Sequence, residues 1–448
     1  MKKQLLIATF LSTTIVLPSL SKDLWSSALP SDADLIESLR TNTTDPGKGI
    51  KVKVRLQDSH VKHIPSEKIY FPQTVFEGPS DFQFIYGDDS RAFYREDGNY
   101  TTKRLYTDRL VKADSASVYG ALRYSSNLFQ EDLRTLLRVN PGQEPLRQAT
   151  YQYTHSTTTS PLIYYIKGEE MQNAYYTRFD YEGETYRMMV MGYYKDGPWK
   201  TIYTAQHPDI LWHELGHSIV DAARPDLFND TYQAGAFHEA WGDTNALYTA
   251  LSIPSMRRKV IGDTRGDLHQ ENFIAHMAER FGASVLRQDN GLRDLDDDVR
   301  VSDVSKQVHD LSRVLSGVIY DINVSAYETY MKKFGGIATE VLGQTSSLLR
   351  QEWVHTLTQV DAAPSFTDIG RTFQANFGAE GSKDALGLPL QSIIAEEFAK
   401  KDIVLDETDD SWGWDQVEGV TWQSAHGGSV KMESNFARAV AYKASKSE

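Results

Sequence analysis

Over Ile50-Lys-Val-Lys-Val-Arg-Leu56 apolar and polar residues alternate one for one, and that period of two predicts a strand. Phe82–Tyr86 and Arg91–Tyr94 read as two further short strands in a stretch, 22 to about 110, that is otherwise irregular or β-rich and broken by Pro and Gly. The period then lengthens. Val118, Leu122, Leu128, Leu133, Leu136 and Leu137 recur at helical spacing and predict a helix over Ser115–Leu137. Residues 147–205 are rich in Tyr, Thr and Ile and predict strands, with turns at 181–183 and 195–198 and a buried strand at Arg187–Met191. From 209 onward the chain is mainly helical: a helix over about 209–222, a second starting near Ala236, and helical spacing around 240–251, 269–282, 306–332, 336–359 and 390–399, with loops at 286–303 and 361–367. The tail after Asp402 mixes acidic residues with Trp412, Trp414 and Trp422, which are expected to pack against the body.

This order predicts an α+β chain: residues 1–21 apart from the fold, a small β-rich region over 22–105, a β-rich lobe over 106–235, and a mainly helical lobe over 236–448. The 448 residues, 40% of them hydrophobic, suffice for two or three packed domains. A formal net charge of −14 argues against nucleic acid and anionic membranes as partners. At the N-terminus, Lys2 and Lys3 precede the short apolar run Leu5–Leu17, and Ser19 and Ser21 are the small residues of a cleavage site after Ser21. This predicts a signal peptide, a secreted or periplasmic protein, and no stable membrane insertion once the signal is removed; the alternative reading is an uncleaved anchor. There is no Cys, so stability rests on core packing or bound ions.

The chemistry is concentrated in Asp209-Ile-Leu-Trp-His-Glu-Leu-Gly-His-Ser-Ile-Val220. On a helix His213 and His217, four apart, face the same way and can reach one metal ion, with Glu214 beside them. The flanking Leu211, Trp212, Leu215 and Ile219 imply burial, where two imidazoles and a carboxylate without partners are costly. A catalytic zinc takes a third protein ligand. Glu239, in Gly235-Ala-Phe-His-Glu-Ala-Trp-Gly-Asp243, is the candidate; Asp243 lies one turn on, where it can orient a ligating His. His238 is the second choice as ligand, since it points about 100° away from Glu239 on the helix. His60 and His63, in a polar stretch before Pro65, read as surface residues.

These two segments resemble the thermolysin-like zinc metallopeptidases, the gluzincins. The resemblance implies a two-lobed catalytic unit with Zn2+ held by His213, His217 and Glu239, with Glu214 as general base and Asp243 behind a ligand. It extends outward. Gln172-Asn-Ala-Tyr-Tyr176 is similar to the family's substrate-binding edge strand, which gives Asn173 and Ala174 that role. Gly291-Leu-Arg-Asp-Leu-Asp296 resembles the segment whose Arg binds a substrate carbonyl, implying Arg293. Val308-His-Asp-Leu-Ser-Arg-Val-Leu-Ser-Gly317 resembles the segment whose His stabilises the oxyanion, implying His309. Tyr232 is the candidate for the family's oxyanion Tyr. The sequence departs from the family in four places, the first being a gap between His217 and Glu239 slightly longer than the family's usual one. His238 stands where an Asn is usual, only Asp209 matches the calcium-binding acids, and 22–105 is shorter than the usual propeptide.

The expected function is therefore a secreted zinc endopeptidase acting on a peptide or protein substrate. Two other readings stay open: an exopeptidase on a similar frame, which needs a recognition site for a free terminus, and a non-catalytic exported protein with a structural zinc, which needs a fourth protein ligand.

Overall fold

A computed structural model describes residues 29–405, apart from 43–49, 58–60, 62, 72–79, 88–114, 182–183, 199, 230, 279–292, 306 and 379–385. The signal segment, the strand expected at Arg91–Tyr94, His60 and the tryptophans of the tail lie outside the described residues. His63 is exposed, as expected. Among the described residues no helix is long and apolar enough to cross a membrane.

The fold is mixed α+β and mainly helical. In the region expected to be irregular or β-rich, Asp32–Asn42 forms a helix, α1. Ser31 starts it with a reciprocal cap: the Ser31 hydroxyl accepts from the Asp34 N–H at 3.2 Å, and the Asp34 carboxylate accepts from the Ser31 N–H at 3.2 Å. Strands β1 (Ile50–Val54) and β2 (Glu67–Phe71) pair antiparallel. Helix α2 (Ser115–Val139) follows, then α3 (Glu144–Thr159).

Helix α3 corrects the expectation of strands from residue 147. Its Thr and Tyr content favours strands locally, yet Thr150, Thr154, Thr157 and Thr159 turn their hydroxyls onto the carbonyls of Leu146, Thr150, Tyr153 and His155, at 2.8–3.0 Å. Each polar group is thereby satisfied inside the helix. Tertiary burial of Leu146, Ala149 and Tyr153 then outweighs β propensity.

The strands expected beyond it do form: β4 (Leu162–Glu170), β5 (Ala174–Tyr181), β6 (Glu184–Lys195) and β7 (Thr201–Tyr203). With β3 (Phe84–Tyr86) they make one sheet in the order β3-β4-β6-β5, with β7 also on β6. β3, β4 and β6 run parallel; β5 and β7 are antiparallel to β6. The strands alternate as the period of two requires. Tyr164, Ile166, Tyr176, Met189 and Met191 enter the main core, while Ile163, Tyr165, Tyr175, Met188 and Val190 form a smaller cluster.

The chain leaves the sheet through α4 (Pro208–Ala223), where Pro208 begins the helix and needs no N–H partner. Helix α5 (Tyr232–Ser252) begins four residues before the expected Ala236. The Thr231 hydroxyl accepts from the Ala234 N–H at 3.2 Å and is itself bonded to Asn229 at 2.6 Å. Helix α6 (Pro254–Thr264) follows. The helix expected over 269–282 is not found in its described part. Asn272 accepts from the N–H groups of Ile274 and Ala275, both at 3.0 Å, which closes a turn. The chain then enters β8 (His276–Met277), paired antiparallel with β9 (Arg293–Asp294). Helices α7 (Val308–Phe334), α8 (Ala338–Gln359), α9 (Phe366–Asn376) and α10 (Leu390–Lys400) complete the helical part. Apolar side chains from α1, β1, α2, α4, α5, α7 and α8 share one core, so the described residues of 29–87 pack into the same interior as the His-bearing helix.

Candidate metal centre

Two glycines let α4 and α5 meet. A Cβ built at Gly216 would lie 2.8 Å from the Gly242 Cα, and one at Gly242 would lie 2.7 Å from His213 Nδ1. Neither contact is tolerable for a methyl group, so the helices approach closely only because both residues lack one. Trp212 anchors the other side of α4: its indole N–H donates to the Ala121 carbonyl at 3.0 Å, and Asn245 of α5 donates to the Trp212 carbonyl at 2.6 Å. Gly242→Ala is expected to push the His213 ring from its place. Overpacking on this scale costs about 1–3 kcal/mol, so affinity for a metal ion at this group should fall about 5–150-fold. Chelator competition measures it; an unchanged affinity would mean the helices separate without disturbing the ring.

The packing brings three donors from two helices together. His213 Nε2 and His217 Nε2 are 3.2 Å apart. His213 Nε2 lies 3.4 Å from Glu239 Oε2, and His217 Nε2 lies 3.6 Å from Glu239 Oε1. The three side chains are buried. A tetrahedral zinc with bonds of about 2.0–2.1 Å holds its ligand atoms about 3.3 Å apart. The three separations fit that spacing, and two imidazoles with one carboxylate are a donor set suited to zinc.

Behind the donors stands a buried charge network. His213 Nδ1 is 2.8 Å from Asp243 Oδ1. Arg293 of β9 donates to both Asp243 oxygens, at 2.9 and 2.8 Å, and to Glu239 Oε2 at 3.1 Å. Burial opposes the charged form of His213, but hydrogen bonds to Asp243 and Glu239 outweigh it and push this imidazole up to about 10. Burial likewise opposes ionised Asp243; the Arg293 guanidinium, helped by His213, holds it below the usual carboxylate value. Asp243 therefore fixes the orientation of His213, and Arg293 keeps Asp243 ionised.

The remaining residues singled out by sequence lie as follows. Glu214 is 5% exposed, beside both histidines on α4. His309, on the first turn of α7, brings Nε2 to 3.5 Å from Glu239 Oε1 and keeps a third of its side chain exposed. It is nonetheless outside the group His213, His217, Glu239, whose donor atoms all lie within 4.8 Å of one another. Arg293, expected at a substrate carbonyl, has two nitrogens engaged with Asp243 and Glu239. Asn173 precedes and Ala174 opens β5, whose sheet partner among the described residues is β6, so β5 forms the end of that strand order. Ala174 is buried, and the Asn173 carbonyl accepts from the Gly192 N–H at 3.0 Å. Tyr232 is the first residue of α5, two turns or about 10 Å along the axis from Glu239. His238 is buried and is not in the donor group. The Asp209 carboxylate accepts from the Ala278 N–H.

Sequence reasoning missed Gly216 and Gly242, although both lie inside the two motifs. A second His/carboxylate group among the described residues joins His269, Asp296 and Asp321. Its His is half exposed, and Lys401 already lies 3.3 Å from Asp321, so the buried group is the better metal candidate. Burial first, then Glu397 and Asp296 against the opposing Lys401, pushes Asp321 up to about 6.

Comparison of the sequence with protein-family models finds no match. Comparison with curated proteins finds none either.

Proposed function

We propose that the chain is an exported zinc-dependent endopeptidase whose site is built as in the thermolysin-like enzymes, with a β-rich lobe ending in α4 and a mainly helical lobe beyond it. The observation that carries the reading is the set of separations among His213, His217 and Glu239, which suits a tetrahedral ion with one position left over. When bound, zinc supplies a Lewis acid that makes water nucleophilic near neutral pH. Glu214 takes the proton of the attacking water and returns it to the leaving amine. His309, at the more exposed margin of the donors, meets the negative charge that develops on the substrate carbonyl oxygen. The substrate backbone lies along the sheet edge at Asn173 and Ala174, while Arg293 stays with Asp243 and Glu239 behind the donors. The segment Met1–Ser21 directs export.

A structural zinc is disfavoured because, among the described residues, no fourth side chain joins the donor group. The purified protein is expected to hold one equivalent of zinc and to cleave an internally quenched peptide blocked at both ends. Stripping the metal with a chelator should abolish cleavage, and zinc should restore it. Cleavage confined to peptides with a free terminus would make it an exopeptidase. Bound zinc without any cleavage would make the ion structural.

A further inference from the structure

The two ligating imidazoles are supported differently. His213 rests on Asp243 and Arg293. His217, fully buried, lies among rings. Tyr176 of β5 stands 6.4 Å from it at an interplanar angle of 29°, and His238 of α5 stands 5.7 Å from it at 28°. Phe228, between α4 and α5, is nearly perpendicular to both, 6.2 Å from Tyr176 at 83° and 5.7 Å from His238 at 82°. The four rings thus form a closed circuit, His217–Tyr176–Phe228–His238. The circuit is tied down from outside. Arg178 of β5 sits 4.0 Å over the Phe228 ring, donates to the Phe228 carbonyl at 3.0 Å and pairs with Asp221 at 3.1 Å. Asp221, one turn beyond His217 on α4, accepts the Tyr176 hydroxyl.

We infer that Tyr176, Phe228 and His238, braced by Arg178 and Asp221, are positioning residues that fix the plane of the His217 imidazole and thereby set the metal affinity of the site. Edge-to-face and offset-stacked rings define orientation as well as burial. A ligand whose ring plane is held in advance loses less freedom when the metal binds. The circuit joins β5, α4 and α5, so it also couples the proposed substrate strand to the metal ligands. This inference rests on the zinc reading above.

The test measures zinc affinity by competition with a chromogenic chelator, and the ligand-field absorption of the cobalt-substituted protein, for the full chain and four variants. Phe228→Leu and Tyr176→Leu are expected to weaken zinc binding by about 10–100-fold, the usual range for residues supporting a metal ligand, and to shift the cobalt bands. Tyr176→Phe, which keeps the ring and deletes the hydroxyl, should stay within about threefold of wild type, well below that range. Arg178→Met, at a partly exposed side chain that is easier to replace without unfolding, should give a smaller loss in the same direction. Thermal melting of the metal-free proteins is the control. A merely architectural role lowers the melting temperature and leaves zinc affinity and cobalt spectrum of the folded protein unchanged, and that outcome overturns the inference. A wild-type protein without zinc affinity would instead remove the reading beneath it.

Discussion

Glu214→Gln is expected to leave the protein folded and able to take up zinc, while peptide cleavage falls by about 10²–10⁴-fold, the range that a lost general base accounts for. Gln keeps the shape of the side chain and its ability to hydrogen-bond, so α4, which buries Glu214 at 5% exposure, should tolerate it. What it loses is proton affinity. The proposed donors are His213, His217 and Glu239, so zinc stoichiometry should be unchanged, and that separates this variant from Gly242→Ala, where the His213 ring itself is displaced. Two results would remove Glu214 from the role. Cleavage near the wild-type rate would show that another group takes the proton. Loss of zinc together with activity would show that Glu214 holds the metal.

The donor set is the part of the molecule most legible in sequence, because helical geometry fixes it locally. Residues four apart share a face, and an apolar frame around His213 and His217 signals burial before any fold is known. Glu239 and Asp243 follow by the same logic on α5. The supports were less legible because they come from elsewhere. Arg293 arrives from β9, more than fifty positions after Glu239, and the order of residues does not say that its guanidinium lies against Asp243. Gly216 and Gly242 matter through a contact between helices, not through any local preference. The ring circuit around His217 draws on β5, α5 and the segment between α4 and α5, and Phe228 has no distinguishing context in the sequence. Two elements differ from the expected α+β order for a related reason. The Thr residues of α3 favour strands, yet their hydroxyls can cap carbonyls of their own helix, and burial of one face decided between the two. At 269–282 apolar spacing suggested a helix, but the Asn272 side chain takes the N–H groups that a helix needs.

Arg350→Met is expected to destabilise the whole fold by about 3–5 kcal/mol, the cost of leaving one member of a buried ion pair alone. Arg350 of α8 meets Asp132 of α2 through Nε at 2.6 Å and Nη2 at 2.8 Å, with the Asp132 side chain 1% exposed. Burial raises Asp132 above its usual carboxylate value even with the guanidinium present to oppose the shift. Removing the guanidinium leaves burial opposed only by the Gln351 hydrogen bond and drives that value higher. A carboxyl with a raised folded-state pKa favours the fold while both states are protonated, and that advantage is lost as pH rises through the folded value. The deficit of Arg350→Met relative to wild type should therefore be largest at pH 8 and shrink toward pH 4. Urea unfolding at the two pH values measures it, and Asp132→Asn added to Arg350→Met should recover much of the loss at pH 8. A loss below about 1 kcal/mol would mean that water reaches Asp132 in the folded protein. The consequence extends to the metal, because α8 also supports α5: Trp353 donates to the Thr244 hydroxyl at 2.9 Å and stacks on Trp241 at 5.8 Å, two residues beyond Glu239. Loosening α8 from α2 should therefore lower zinc affinity only near the unfolding transition, whereas Gly242→Ala should lower it far below that transition.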